Sequence, residues 1–160
     1  MLQGSYATGQ APHVVIAAFD FSEAGRLVLE EGLAIAERTP DTELYPTHVA
    51  TPYGPLLRLE LAEGTETLDA QRAEARLASY IDELRRALKD APGPERVHPR
   101  LRAGGAAEEI LLLASELSAD LVLVGTRARH GMRHLFLGSV SEAVVRRCGC
   151  PVLVVRPKGY

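Results

Sequence analysis

Five short apolar runs divide this 160-residue chain, and they constrain its fold more than any other feature. The clearest are Val14–Phe19, Leu121–Gly125 and Pro151–Val155, in which apolar residues follow one another without alternation. Such runs are typical of strands that are covered on both faces, as in a parallel sheet. Less regular runs at Glu43–Ala50 and Arg96–Arg102 complete the five predicted strands.

Amphipathic stretches separate these runs and predict helices. The first helix begins with Asp20 or Ser22 as its N-cap and ends before Pro40. Alternation of strand and helix predicts an α/β fold, a doubly wound five-stranded parallel sheet in the order 3-2-1-4-5 with helices on both faces. Residues 13–157 form one predicted domain, with tails at 1–12 and 158–160. The other predicted helices are Thr65–Lys89, Ala106–Leu117 and Ser139–Arg147.

The composition excludes several classes of function. The net charge is -3, aromatic residues make up 5% of the chain and Trp is absent, so we expect no nucleic-acid partner. Apolar stretches fall well short of the roughly 20 residues that span a bilayer, and no signal peptide is recognisable, so we expect no membrane association. Cys148 and Cys150 are the two cysteines, and such a pair favours a reduced, cytoplasmic setting.

The predicted strand order reverses between the first and fourth strands, where the ligand crevice of such sheets lies. Asp20 follows the first strand and the loop Gly125–Ser139 follows the fourth. Gly125 lets the chain leave the fourth strand without a Cβ that would obstruct the crevice, and Gly138 does the same where the backbone meets the next helix. Ser139 begins that helix, whose free N–H groups favour an anion. The hydroxyls of Ser139 and Ser141 are donors that suit phosphate oxygens. Three arginines in or beside this loop add charge: Arg127, Arg129 and Arg133.

Structural interpretations compete with these functional ones. Ser139 and Glu142 fit a capping box, which needs no ligand, and Gly138 fits a simple tight turn. His130 and His134 are spaced for a shared metal but lack a third ligand nearby, so no metal site is expected.

Two further candidates are better explained by packing. Cys148 and Cys150 fit a redox pair, but we expect Cys148 to end a helix and Cys150 to pack beneath the last strand. We expect His48 to be a satisfied, partly buried histidine. The arginines around Arg72 to Arg86 are interspersed with Glu and predict a solvated helix surface.

Catalytic signatures of nucleotide-binding folds are absent from the sequence. There is no Gly-x-x-x-x-Gly-Lys-Ser/Thr loop, and His130–His134 has neither the order nor the spacing of a His-x-Gly-His motif. Asp20 has no evident nucleophile to activate as a base. The sequence therefore predicts a binding protein rather than an enzyme, with no catalytic residues.

The glycine loop also resembles that of the ATP-binding members of the universal stress protein family. Their pattern is Gly, two residues, Gly, nine residues, then Gly followed by Ser or Thr. Gly125, Ala128 and Gly138-Ser139 occupy these places. The resemblance runs from about His13 to Arg156, and further matches occur in the family's order: Phe19–Glu23, His48-Val49, Gly105–Ile110 and Cys150–Val155.

This resemblance implies an ATP-binding stress-response switch or sensor that takes the nucleotide with a divalent cation, Mg²⁺ or Mn²⁺. Asp20 and the backbone at Val49 would hold the adenine and ribose, with Phe19 and Val124 beside them. It also implies a homodimer through Pro151–Val155 and an unidentified protein partner. The residues that would cradle the phosphates are Gly125, Arg127, Ala128, Gly138, Ser139, Val140 and Ser141.

Ala128 departs from the family pattern, which has Gly at that place. A backbone with positive φ there would disfavour Ala by about 1 kcal/mol. The alternative hypothesis is therefore a dimeric interaction module of the same fold that has lost nucleotide binding.

Overall fold

The computed structural model describes residues 13–50, 75, 77–83, 86, 93–126 and 137–157. Five parallel strands form one sheet in the order β3-β2-β1-β4-β5, so the predicted fold class and strand order are confirmed. The strands are β1 (His13–Ala18), β2 (Thr42–Ala50), β3 (Arg100–Ala103), β4 (Leu121–Gly125) and β5 (Val152–Val155). The helices with complete bounds are α1 (Glu23–Arg38), α2 (Ala106–Glu116) and α3 (Ser139–Arg147).

Parts of the sequence-based expectations lie outside the described residues. They include both tails, much of the helix predicted at 65–89 and the loop residues 127–136, and therefore Arg127 and Ala128. Residues 77–83 of that predicted helix are helical, which agrees with the prediction. Among the described helices, none has the length and apolar character needed to cross a membrane.

The central strands β1 and β4 are buried on both faces, which explains why they read as unbroken apolar runs. In β1, Val15 and Ala17 face one core, while Ile16 and Ala18 face the other. Helix α1 and residues 77–83 cover the first core, and α2 and α3 cover the second. The side chains of Val15, Ile16 and Ala17 are fully buried in consequence.

The third strand is shorter than the sequence predicted and begins at Arg100 instead of Arg96. Residues 94–96 form a 3₁₀ turn, and Val97 makes only an isolated bridge to Leu44. The carbonyl of Leu44 accepts from the His98 N–H at 2.8 Å, so the next N–H of β2 on that side should come from residue 46. That residue is Pro46, which has no N–H, so regular pairing resumes only at Thr47 with Arg100.

Arg96 lies in the 3₁₀ turn before β3, and its side chain binds the end of α1. Its guanidinium donates to the carbonyl oxygens of Ala36 at 2.8 Å and Pro40 at 2.9 Å, at the end of α1. These carbonyls have no partner within the helix, and Arg96 satisfies them. The prediction of Arg96 as a strand residue was therefore wrong, because its side chain closes a helix end.

Candidate functional site

The carboxyl ends of β1 and β4 lie side by side, as the predicted switch point requires. Ala17 pairs with Leu123, so Phe19 and Asp20 leave the sheet next to Gly125 and Thr126. The N–H of Phe19 donates to the Thr47 carbonyl of β2 at 3.0 Å. Three strands therefore bring their predicted site residues to one edge of the sheet.

Asp20 is exposed, and its carboxylate has a defined local setting. Its Oδ1 atom accepts from the backbone N–H of Ser22 at 3.2 Å and also from the Ser22 hydroxyl. The Ser22 hydroxyl oxygen in turn accepts from the Gly25 N–H at 3.2 Å, so Ser22 is the N-cap of α1. Between the two predicted caps the structure selects Ser22, and Asp20 orients it.

Gly25 controls how closely α1 approaches this turn, and its role was not predicted from the sequence. A Cβ atom at this position would lie 1.8 Å from the carbonyl oxygen of Asp20. Real Cβ atoms never approach a backbone oxygen that closely, so only glycine fits without a shift of the turn. The sequence signal that could have identified it is a glycine in the first turn of an otherwise good helix-forming segment, where glycine is unfavourable.

The structure gives a different reason for glycine at position 125 from the one that the sequence suggested. A Cβ atom there would meet Val28 Cγ2 at 3.3 Å and the Ala24 carbonyl oxygen at 3.4 Å. The glycine therefore allows α1 to pack closely on the end of β4. The Ser141 hydroxyl donates to the Gly125 carbonyl at 2.5 Å, so its proton is not available for a hydrogen bond to a ligand.

Thr126 is the first residue after β4, and it was not among the site residues predicted from the sequence. Its N–H donates to the Val155 carbonyl at 3.0 Å, and its side chain is buried at 6% exposure. Its hydroxyl has no hydrogen-bond partner among the described residues. A buried hydroxyl without a partner carries a free-energy cost of about 1–3 kcal/mol, so it marks a place where an external acceptor or donor would be favourable.

Helix α3 begins without a side-chain cap. Gly138 is its N-cap, with φ -64° and ψ 158°, and Ser139 is the first helical residue. The capping-box interpretation was therefore wrong: Ser139 lies one position too far along, and the carboxylate of Glu142 pairs with Arg146 at 2.9 Å. The first-turn N–H groups have no partner within the helix, and exposed Ser139 and Val140 carry two of them.

A cluster of aromatic side chains lies at the β1–β2 end of this edge. The rings of Phe21 and His48 are 4.7 Å apart, and Tyr80 lies 5.5 Å from Phe21 and 6.0 Å from Phe19. His48 Nδ1 lies 3.1 Å from the Phe19 carbonyl oxygen, which confirms the expectation of a satisfied histidine. Burial raises the pKa of the Tyr80 hydroxyl. Phe21 and Tyr80 were missed, because their approach depends on tertiary packing.

Val49 lies near the end of β2, half-buried and paired in register with Arg102 of β3. No group of three or more His, Cys, Asp or Glu side chains is placed to hold a metal ion within the described ranges. The edge therefore offers backbone N–H groups, hydroxyls and the exposed carboxylate of Asp20, which is a set suited to an anionic ligand with hydroxyl groups.

Comparison with known proteins places this arrangement in a family. The family model described as the universal stress protein family matches residues 12–156. That match covers most of the chain, and the protein belongs to the universal stress protein family. The resemblance read from the sequence is thereby confirmed.

Curated relatives match shorter segments. A universal stress protein of Methanocaldococcus jannaschii is 39% identical over 61 residues, which are 38% of this chain and 36% of the relative. A protein of Staphylococcus haemolyticus named for the same family is 39% identical over 95 residues, 57% of each chain. In both cases the chain spans less than two thirds of the relative's length.

Solved structures share the fold over almost the whole chain. A universal stress protein of Lactobacillus plantarum has a TM-score of 0.69 at 24% identity, covering 92% of this chain and 100% of that one. A universal stress protein in complex with cAMP has 0.62 at 23%, covering 92% and 98%. A family member from Arabidopsis thaliana with AMP bound has 0.58 at 16%, covering 92% and 93%.

Proposed function

We propose that this protein binds ATP, together with Mg²⁺ or Mn²⁺, at the carboxyl edge of its sheet and acts as a nucleotide-dependent switch or sensor in a stress response. One observation carries the proposal: at the same edge as Asp20, α3 begins without a side-chain cap and the buried Thr126 hydroxyl has no partner among the residues that the structure describes. Solved structures of the same fold with cAMP and with AMP bound support an adenine nucleotide as the ligand class.

The phosphates belong at the α3 end of the edge. The backbone N–H groups of Ser139, Val140 and Ser141 lie in the first turn of α3, where the helix dipole favours negative charge. The Ser139 hydroxyl is exposed and adds a donor, whereas Ser141 contributes only its backbone because its hydroxyl bonds Gly125. Gly138 precedes this turn. Arg127 and Ala128 belong to the same proposed cradle but lie outside the described residues.

The nucleoside belongs at the β1–β2 end. The Asp20 carboxylate is exposed and held by Ser22, so it is suited to accept hydrogen bonds from ribose hydroxyls. Backbone groups at Val49 are suited to the adenine edge, with Phe19 and Val124 as apolar neighbours. The divalent cation would be held chiefly by the phosphate oxygens, which suits the few carboxylates at this edge.

Binding without turnover is part of the proposal. Asp20 is the carboxylate described at this edge, and it already accepts two hydrogen bonds from Ser22. ATP bound there would contact the loop between Thr126 and Leu137 and change the surface offered to a protein partner. We therefore expect ATP to be recovered unchanged from the purified protein, in a cytoplasmic setting.

Thr126 provides a sharp test of the phosphate site. Thr126→Val removes the unpartnered hydroxyl, so we expect ATP affinity to fall about tenfold or more, as for one lost hydrogen bond to a charged group. Thr42→Val is the matched control, because its hydroxyl is also buried and unpartnered but lies at the opposite end of the sheet. Isothermal titration with ATP and Mg²⁺ measures both variants, and thermal melting checks that both remain folded.

Three outcomes would contradict parts of the proposal. Absence of binding by the unmodified protein at millimolar ATP would leave the interaction module as the better explanation. Equal affinities for Thr126→Val and the unmodified protein would remove Thr126 from the phosphate site. Release of ADP would make the protein an enzyme.

The alternative hypothesis, an interaction module that has lost nucleotide binding, is tested by a substitution at Ala128. If Ala128 weakens the phosphate cradle, Ala128→Gly should tighten ATP binding about fivefold, from about 1 kcal/mol of relieved backbone strain. An unchanged affinity would show that this departure from the family pattern has no effect on the ligand.

A further inference from the structure

The two cysteines form a close pair at the junction of α3 and β5. Their Sγ atoms are 3.5 Å apart, both thiols are free and both side chains are partly buried. The expected packing is present: Cys148 ends α3 and both cysteines contact the second core. The short distance between the sulfur atoms is an additional feature that packing alone does not require.

The chain on either side of the pair is held in place. The Cys148 N–H donates to the Val144 carbonyl at 2.9 Å, which fixes it to the end of α3. The Pro151 carbonyl accepts from the Val122 N–H at 3.1 Å, which fixes the chain at the start of β5. The backbone is therefore anchored on both sides of the pair.

Gly149 links the two cysteines and is free to adjust. It is exposed, and no atom lies within 4 Å of where its Cβ would be. Bonded sulfur atoms are about 2.0 Å apart, so the pair must close by about 1.5 Å to form a disulfide. An unpacked glycine between two anchored residues supplies the backbone freedom for that small movement.

We propose that Cys148 and Cys150 are a reversible redox site that closes into an intramolecular disulfide. The proposal stands on the position of the sulfurs and does not depend on nucleotide binding. A disulfide that bridges a single residue is strained, and strained disulfides are the readily reduced, regulatory ones. The bond would tie the end of α3, whose other end lies at the proposed phosphate site, to the start of edge strand β5.

The reaction balances with a low-molecular-weight disulfide as the oxidant. One protein thiolate attacks a sulfur of the oxidant, forms a mixed disulfide and expels one small thiolate. The second protein sulfur, after losing its proton to solvent, attacks the protein sulfur of the mixed disulfide and expels the second small thiolate. Both small thiolates take up a proton, so two protein thiols are oxidised and one small disulfide is reduced to two thiols.

The environment indicates which sulfur reacts first. Burial, the hydrogen bond that it shares with Cys148 and the nearby charges of Cys148 and Asp120 raise the pKa of the Cys150 thiol to about 12. Cys150 is therefore a thiol at neutral pH, and the thiolate is the attacking form. We expect Cys148 to form the mixed disulfide and Cys150 to resolve it.

Glutathione buffers of graded ratio test the proposal on the full chain. After equilibration and rapid alkylation, intact mass should show an unalkylated species that has lost two hydrogens. The ratio of this disulfide form to the dithiol form should be proportional to the concentration of oxidised glutathione divided by the square of the concentration of reduced glutathione. In Cys150→Ser a glutathione adduct on Cys148 should accumulate instead. In Cys148→Ser the adduct should form at least about tenfold more slowly, because the buried thiol must ionise first.

Other results would overturn the proposal. Alkylation of both cysteines at every ratio would show that no disulfide forms. A glutathione adduct that persists in the unmodified protein would show that the second sulfur does not attack. A covalent dimer on a non-reducing gel would assign the oxidation to contacts between chains.

Discussion

Gly25 shows how one residue sets the geometry of the edge. Helix propensity alone predicts that Gly25→Ala would stabilise α1 by about 1 kcal/mol. The structure predicts the opposite sign, because the added methyl group would lie 1.8 Å from the Asp20 carbonyl oxygen. We expect a loss of about 1–3 kcal/mol in the free energy of unfolding, measured by urea denaturation.

Gly149→Ala is the matched control for this prediction. The space around that Cβ position is open, so the free energy of unfolding should change by less than about 0.5 kcal/mol. Equal effects of the two substitutions would mean that the contact with Asp20 does not determine the position of α1.

The residues of the site differ in how far the sequence revealed them. Asp20 and Ser139 could be predicted because each follows a strand or begins a helix, and that position follows from the chain alone. Thr126 and Phe21 could not, because a missing hydrogen-bond partner or a ring contact depends on neighbours distant in sequence. The Ser141 hydroxyl illustrates the same limit, since its acceptor on Gly125 is 16 residues away.

At the scale of elements, Arg96 connects the end of α1 to the segment before β3. Arg96→Ala leaves carbonyl oxygens of Ala36 and Pro40 without their donor, so we expect a loss of about 1–3 kcal/mol in the free energy of unfolding. Chemical denaturation measures the change, and Arg96→Lys should recover only part of it, because lysine lacks the planar fork of donors.

Arg38→Ala is the control for that element. Arg38 is also near the end of α1, but it makes an exposed ion pair with Glu31 and its side chain is 63% exposed. Such pairs contribute about 0–1 kcal/mol. A loss as large as that of Arg96→Ala would show that charge near the helix end, rather than the specific donation from Arg96, stabilises α1.

At the scale of the whole molecule, edge strand β5 is the proposed dimer surface. Leu153 is 39% exposed on a strand that pairs only with β4 among the described residues. An apolar edge of this kind favours association with a second chain. We expect the protein to be a dimer and Leu153→Lys to weaken dimerisation at least about tenfold, from loss of about 1.5–3 kcal/mol of apolar burial. Sedimentation velocity over a concentration series measures the dissociation constant of the dimer for both proteins.

Leu112→Lys is the control for the dimer surface. Leu112 is 49% exposed, but it lies on α2 instead of on β5. It should leave the association unchanged. A monomeric unmodified protein at tens of micromolar, or equal dissociation by both variants, would contradict a dimer through β5.

The sequence by itself determined the strand order and the helices α1, α2 and α3, and it predicted the edge at which a ligand would bind. It could do so because unbroken apolar runs and helical periodicity are local properties of the chain, and the crossover rules leave few arrangements. Only the tertiary structure decided where β3 begins, which residue caps α1 and that the two cysteine sulfurs lie close together. It also showed that the Thr126 hydroxyl is buried with no partner in the described part of the chain. Those features depend on distances between atoms that are far apart in the chain or on exact side-chain positions, and periodicity carries no information about either.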